Sequence, residues 1–413
     1  MNSAAERYVR LVLALGQHDT DYVDAYYGPP EWRRQATESK RPLIEIRREA
    51  LDLAKEIGSD GGTADADSRR RRFLTRQLQA LAARADLLSG RKMTFDEESR
   101  ALYDAVAPVN TEAHFRALRD RLAAELPGPG SLTDRYDAFR RQFVIPRDRL
   151  DAVFQRAIAE ARQRTARHMS LPEGESFRVE YVTGKSWSGY NWYQGNFRSL
   201  IQVNTDLPVF IDRAVDLACH EGYPGHHVYN VLLEKHLVRD RGWIEFQVYP
   251  LFSPESLIAE GSANYGIDVA FPGAERRAFE EDVLYPLAGL DPAGAERYER
   301  LRALAESLSY AGNEAARRYL DGAIDAKAAA AWLTEYALMS PARAEQRVRF
   351  IEQYRSYVIN YNLGKDLVRG WMEAAGGTAS NSERRWKAFE RLLSEPTLPS
   401  ELSAARPPSG NAS

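Results

Sequence analysis

Cysteine is almost missing from this chain. Cys219 is the only one in 413 residues, which excludes a disulfide scaffold and any structural zinc site built from thiolates. Long apolar runs are missing too. No stretch approaches the ~18 uninterrupted apolar residues that a membrane-spanning helix needs. The short run Leu11 to Leu15 follows Glu6, Arg7 and Arg10 and has no small-residue cleavage site after it, so a signal peptide is not expected. Nor is there an excess of either charge: 56 Lys and Arg stand against 59 Asp and Glu, a net charge of -3. Such a balance supplies no basic field for nucleic acid and no acidic tail. The expectation is a soluble, cytoplasmic protein with no nucleic-acid and no membrane partner; the oligomeric state is left open.

What is present is ordinary globular usage. Hydrophobic residues make up 44% and charged residues 28%, which excludes a disordered or fibrous chain. At roughly 150 residues per domain the length allows two to three domains, or one large helical enzyme around a single core. We divide it into an N-terminal helical region (1–145), a metal-binding catalytic region (146–395) and a disordered tail (396–413), with one integrated domain as the alternative. Residues 41–56 and 67–88 carry apolar residues at three-and-four spacing and predict amphipathic helices. The Gly-rich connection Gly58 to Thr63 between them is too flexible to hold a helix. Leu150, Val153, Phe154, Ala157 and Ile158 repeat on one face and predict a helix to about His168. Phe177 to Val182 and Ser199 to Asn204 read as strands, with a turn-rich aromatic stretch from Trp187 to Asn196 between them. The pattern returns to helix after residue 255, and the Pro-, Ser- and Ala-rich tail from Pro396 reads as disordered.

Three of the seven histidines fall within eight residues, His220-Glu221-Gly222-Tyr223-Pro224-Gly225-His226-His227. Neutral imidazole is the commonest metal ligand. A zinc hydrolase needs three protein ligands, an open position for water and a carboxylate to take the water's proton. The usual helical arrangement sets its two His at i and i+4. Here the second comes at i+6 or i+7. In an unbroken helix i+6 points about 120° away, while i+7 returns to the same face about 10 Å along the axis. Pro224 removes a helix hydrogen bond and clashes with the carbonyl of His220, so the helix must bulge or break. A two-residue bulge favours His226 as ligand; a regular helix favours His227. We take His226, with His227 as the alternative. The third ligand is expected from Ser256 to Tyr265, where Glu260 stands in an apolar run. A carboxylate there is costly to bury unless paired or on a metal, and the small Gly261 and Ala263 would let this helix approach the His helix.

These motifs, with Tyr190-Asn191-Trp192-Tyr193, Asn204-Thr205-Asp206-Leu207-Pro208 and the Glu260 to Tyr265 segment E-G-x-A-x-Y, resemble the bacterial domain-of-unknown-function 885 family. Its signature is H-E-x-x-P-G-H-H. The resemblance spans roughly residues 180–270. It continues more weakly over 340–370, where Tyr361-Asn362-Leu363-Gly364-Lys365 is similar to the family's Y-x-x-G-K and Ser356 to Asn360 stands in place of its usual P-G-Q-A. The resemblance implies a mainly α, gluzincin-like metallopeptidase architecture with a small antiparallel sheet beside the metal-binding helix.

The reading that follows is a zinc-dependent hydrolase, a metallopeptidase or amide hydrolase. Its partner is a peptide or small amide substrate and its cofactor is Zn²⁺. His220, His226 and Glu260 bind the metal, and Glu221 exchanges protons as general base and then acid. Tyr361 or Tyr265 donates to the developing oxyanion, and the strand Ser199 to Asn204 offers its edge to an extended substrate. Two alternatives remain. Two His and one carboxylate also suit a non-haem Fe(II) enzyme, and the same residues could stabilise a non-catalytic binding protein. Cys219 is expected as a small buried hydrophobe. The aromatics Trp187 to Tyr193 are either core or pocket wall.

Overall fold

The helices expected from apolar periodicity are present in the computed structural model, which describes residues 1–58, 66–185 and 187–404. Leu43–Ile57 turns Ile46, Ala50 and Leu53 inward, and Ala66–Leu88 answers with Phe73, Leu74, Leu78 and Leu81, so the two helices pack face to face. Most of the connection expected to be flexible between them, residues 59–65, lies outside the described residues. Leu150–Ala166 buries Leu150, Val153, Phe154 and Ala157 and stops just before His168. The chain is mainly helical around one continuous apolar cluster that runs from Ala5 to Leu402. Among the described residues no helix is long and apolar enough to cross a membrane.

The small sheet differs from expectation in two ways. The aromatic stretch expected as a turn is itself a strand, because Tyr190, Trp192 and Tyr193 favour pleated backbone and every second residue from Asn191 is buried. The sheet is also mixed. Its order is β2 (Ser176–Val182), β4 (Arg198–Asn204), β3 (Gly189–Gly195), with β3 antiparallel to β4 and β2 parallel to it. β2 takes the free edge of β4 in the hairpin of β3 and β4 and runs parallel to it. β4 is therefore paired on both sides and cannot lend an edge to substrate; β3 is the outer strand.

Two further strands tie the first residues to the rest. β1 (Val23–Tyr26) lies antiparallel to β5 (Val248–Pro250), and its register slips at Asp24, between the pairs Val23 with Pro250 and Ala25 with Tyr249. The slip is a β-bulge, a device that re-aims a side chain. Nearby, the buried Arg70 holds Glu245 through two bonds of 2.6 and 2.8 Å.

The expected disordered tail is helical in part. Pro399–Ala404 forms a short helix with Leu402 fully buried, the Leu398 N–H donates to Glu401, and Arg72 pairs with Glu401 at 3.2 Å. Leu398 and Leu402 stand four apart and supply an apolar face that the composition concealed. The remaining tail, residues 405–413, lies outside the described residues.

Candidate metal centre

The His segment begins as a regular helix, Asp212–Leu217, and widens into a π-helical turn over Ala218–Gly222. The Tyr223 N–H donates to the carbonyl of Ala218 at 2.9 Å, five residues back. Pro224 follows in a cis peptide, and a new helix starts at His226 and runs to Leu233. The chain thus bulges and breaks as Pro224 requires. Gly225 allows the return: a Cβ there would sit 2.0 Å from the His220 carbonyl oxygen.

This path brings His220 and His226 together. Their Nε2 atoms lie 3.2 Å apart, and the Oε2 of Glu260 is 3.4 Å from the first and 3.8 Å from the second. Among the described residues these three side chains form the one group able to share a metal ion. Glu260 comes from the helix Pro254–Ala270, which is buried along nearly its whole length. Its Oε1 accepts a hydrogen bond from Tyr357 at 2.8 Å, while its Oε2 is buried with no hydrogen-bond partner. A buried carboxylate oxygen that faces two imidazole nitrogens without hydrogen-bonding to either is suited to share a cation with them. Burial alone would raise the Glu260 carboxyl, yet the two imidazoles hold it far below the usual range. Burial likewise disfavours charge on His226, but Glu260, Glu221 and Asp24 raise it to about 9.

His227 points elsewhere. It is fully buried, with Nδ1 2.9 Å from Ser199 Oγ and Nε2 3.0 Å from Glu175 Oε2. Glu175 also accepts from Tyr223 and Arg162, and these partners outweigh its burial and hold it at about 2. His227 therefore fastens the His segment to β4 and takes no part in the cluster.

Glu221 is buried and faces the same cavity as the cluster. Its backbone carbonyl accepts from Asn191 at 2.7 Å, and a Cβ on Gly189 would stand 2.9 Å from its Oε1. Glycine at 189 is what lets β3 lie against this carboxylate. Trp187, Tyr190, Asn191 and Tyr193 line the cavity, so the aromatic stretch serves as wall.

Of the two candidate tyrosines only Tyr361 reaches the site. It lines the cavity, feels Glu260 and Glu221, and its hydroxyl makes no hydrogen bond among the described residues; burial keeps it protonated far above the ordinary range. Tyr265 faces Phe389, 6.4 Å between ring centroids, and does not line the cavity. It follows Glu260 by five residues, about 140° round the helix.

The small residues also act differently from expectation. Gly261 meets not the His segment but Gly364 of the helix Ile359–Ala374, where a Cβ would lie 2.5 Å from backbone atoms. That contact presses Tyr357 and Tyr361 toward Glu260. The glycine facing the His segment is Gly266, 3.4 Å from Pro224 by the same measure.

Sequence reasoning missed Asp24, Tyr357 and Arg347. Asp24 reaches the cavity from the bulge in β1 and accepts a hydrogen bond from Tyr190. Loss of solvent raises its carboxyl to about 7; His226 opposes this, and Glu260 and Glu221 add to it. The one available signal was an acidic residue inside the aromatic run Tyr22 to Tyr27.

No family model and no curated protein matches the chain. Among solved structures it is similar to "the putative lipoprotein from Colwellia psychrerythraea", at 15% identity and a TM-score of 0.52, covering 90% of this chain and 71% of that one. It also aligns with "a putative lipoprotein of unknown function from Shewanella oneidensis", at 14% identity and a TM-score of 0.45, covering 88% and 76%. The first likeness establishes that the helical fold is shared with a solved structure.

Proposed function

We propose that the cluster is a hydrolytic zinc centre acting on a peptide or amide bond, in a gluzincin-like chain of the domain-of-unknown-function 885 type. The observation that carries the reading is the buried Oε2 of Glu260, which has no hydrogen-bond partner and faces two imidazole nitrogens at 3.4 and 3.8 Å. Zinc bonds of ~2.0–2.2 Å in a tetrahedral arrangement set ligand atoms about 3.3–3.6 Å apart, and the separations of 3.2, 3.4 and 3.8 Å bracket that range.

His220, His226 and Glu260 would hold the ion. Zinc, when bound, acts as a Lewis acid that makes water acidic and polarises a carbonyl. Glu221 takes a proton from the attacking water and passes it to the leaving nitrogen. The amide C–N bond breaks, the water oxygen stays on the carbonyl carbon, and the amine leaves with the proton. Tyr361, protonated and with a free hydroxyl, donates to the oxygen on which charge develops. β3, with its outer edge and aromatic face beside the cavity, holds an extended substrate. Metal analysis tests the ligand set. Zinc is expected near stoichiometry in the wild type and lost in His220→Ala and Glu260→Ala, the latter more mildly if water fills the vacancy. Full metal in both variants would refute the assignment, and iron in place of zinc would favour the oxygenase chemistry instead.

A further inference from the structure

The cavity that holds the cluster measures about 1270 Å³, above the ~300–1,000 Å³ usual for small-ligand sites. It extends from β3 across the cluster to the helix Pro341–Tyr354. Arg347 and Arg343, one turn apart on that helix, both line it.

Among the described residues four of the five buried arginines pair with carboxylates, and the fifth, Arg385, donates to the backbone carbonyls of Thr378 and Ala379. Arg70 holds Glu245, Arg84 holds Asp19, Arg276 holds Asp216 and Glu280, and Arg317 holds Glu314. Arg347 has no such partner. Among the described residues its guanidinium makes no hydrogen bond and no ion pair, and its Nε is wholly enclosed. Two rings hold it in place instead, with Cζ 4.5 Å from the Phe350 centroid and 6.0 Å from that of Tyr361. Burial works against its charge. Arg347 is half-buried, and a partly desolvated cation without a counter-ion loses hydration that nothing replaces. When it faces a reaction cavity, the missing anion is naturally supplied by the ligand, and a planar guanidinium suits a carboxylate bidentately.

We propose that Arg347 binds the C-terminal carboxylate of the substrate, so that the enzyme acts on peptides or N-acyl amino acids from their carboxyl end. The inference rests on the hydrolase reading above and names its substrate class. Tyr361, whose ring centroid is 6.0 Å from the Arg347 Cζ, shares the cavity wall with Arg347, Glu221 and Glu260. A carboxylate seated on Arg347 therefore directs the neighbouring amide past Tyr361 toward Glu221. Arg343 lines the same end, where burial, Arg140 and Arg213 work against its charge and Asp137 favours it.

The test is binding, read without turnover. Zinc-loaded Glu221→Gln is titrated calorimetrically with N-acetylated dipeptides, each as the free acid and as the C-terminal amide. The acids are expected to bind about 10–100-fold more tightly, the range of a charge-assisted pair. Adding Arg347→Met should bring each acid down to its amide, and Arg347→Lys should recover part of the difference, because an ammonium keeps the charge and loses the fork. The lysine variant also serves if the methionine one does not fold. Equal binding of acid and amide, discrimination that survives Arg347→Met, or no binding of either form would overturn the proposal. Acid-selective binding by a wild-type enzyme that cleaves none of these compounds would keep Arg347 as the carboxylate site and overturn the hydrolase reading alone.

Discussion

Replacing Gly261 by alanine puts the packing behind the proposed metal site to a quantitative test. Helix propensity alone favours the change, because alanine in a helix interior is better than glycine by about 0.8–1.0 kcal/mol. The structure opposes it. The new Cβ would stand 2.5 Å from the Gly364 carbonyl carbon and oxygen, against ~3.5–4.0 Å for a comfortable contact. The obstacle is backbone and cannot rotate away, so the helices Pro254–Ala270 and Ile359–Ala374 must part by roughly 1 Å. Overpacking of this kind costs about 1–3 kcal/mol, which leaves a net loss of about 0–2 kcal/mol after the propensity gain. Because Glu260 precedes Gly261 and accepts from Tyr357 beside the other helix, zinc affinity should fall by about tenfold. Gly266 is the control on the same helix: its Cβ would meet Phe389 and Pro224 at 3.4 Å, an ordinary contact, so alanine there should be neutral or stabilising by up to ~1 kcal/mol. Urea unfolding with chelator present measures both variants without metal linkage, and a separate titration gives zinc affinity. A Gly261→Ala protein as stable as Gly266→Ala would refute the reasoning.

The adjacent histidines should separate cleanly. His226→Ala is expected to lose metal, whereas His227→Ala should retain it with affinity reduced at most about 10–100-fold. The latter should also unfold about 1–3 kcal/mol more easily, because Glu175 and Ser199 lose a buried partner; metal content and urea unfolding of the two variants decide it, and the reverse metal pattern would place the wrong ring in the cluster. Glu255 provides a pH test away from the cluster. Burial, with Glu245 adding to it, raises its carboxyl from 4.5 to about 8, so the fold favours the protonated form. Its contribution is complete below about pH 4.5 and is lost as the pH rises toward 8. Glu255→Gln cannot ionise, and its stability relative to wild type should grow by up to ~1.4 kcal/mol per pH unit across that window. A difference that does not change with pH would contradict the buried, protonated carboxyl.

Local chemistry was legible in the sequence, and long-range neighbours were not. Pro224 forbids a regular helix through the His segment, so a bulge and the choice of His226 followed from backbone sterics. Glu260 was legible because a carboxylate in an apolar run demands a partner. Gly261 announced that something comes close without saying what, and that neighbour is Gly364, about one hundred residues on. Alternation assigned faces to the strand Arg198–Asn204 but says nothing of which strands flank it, so its place in the middle of the sheet was hidden. Tyr265 failed on helical phase. Asp24 was hidden by distance, since a four-residue strand and a bulge carry it to a site formed some two hundred residues later.

The central claim is that Glu221 moves protons at a zinc site formed by His220, His226 and Glu260. Glu221→Gln keeps the shape of the side chain but cannot accept a proton, so a paired measurement of zinc content and peptide hydrolysis isolates that role. Zinc is expected to bind as in the wild type, with turnover lower by about 10²–10⁴-fold. Loss of zinc together with activity would make Glu221 a ligand, and full zinc with an unchanged rate would contradict the mechanism.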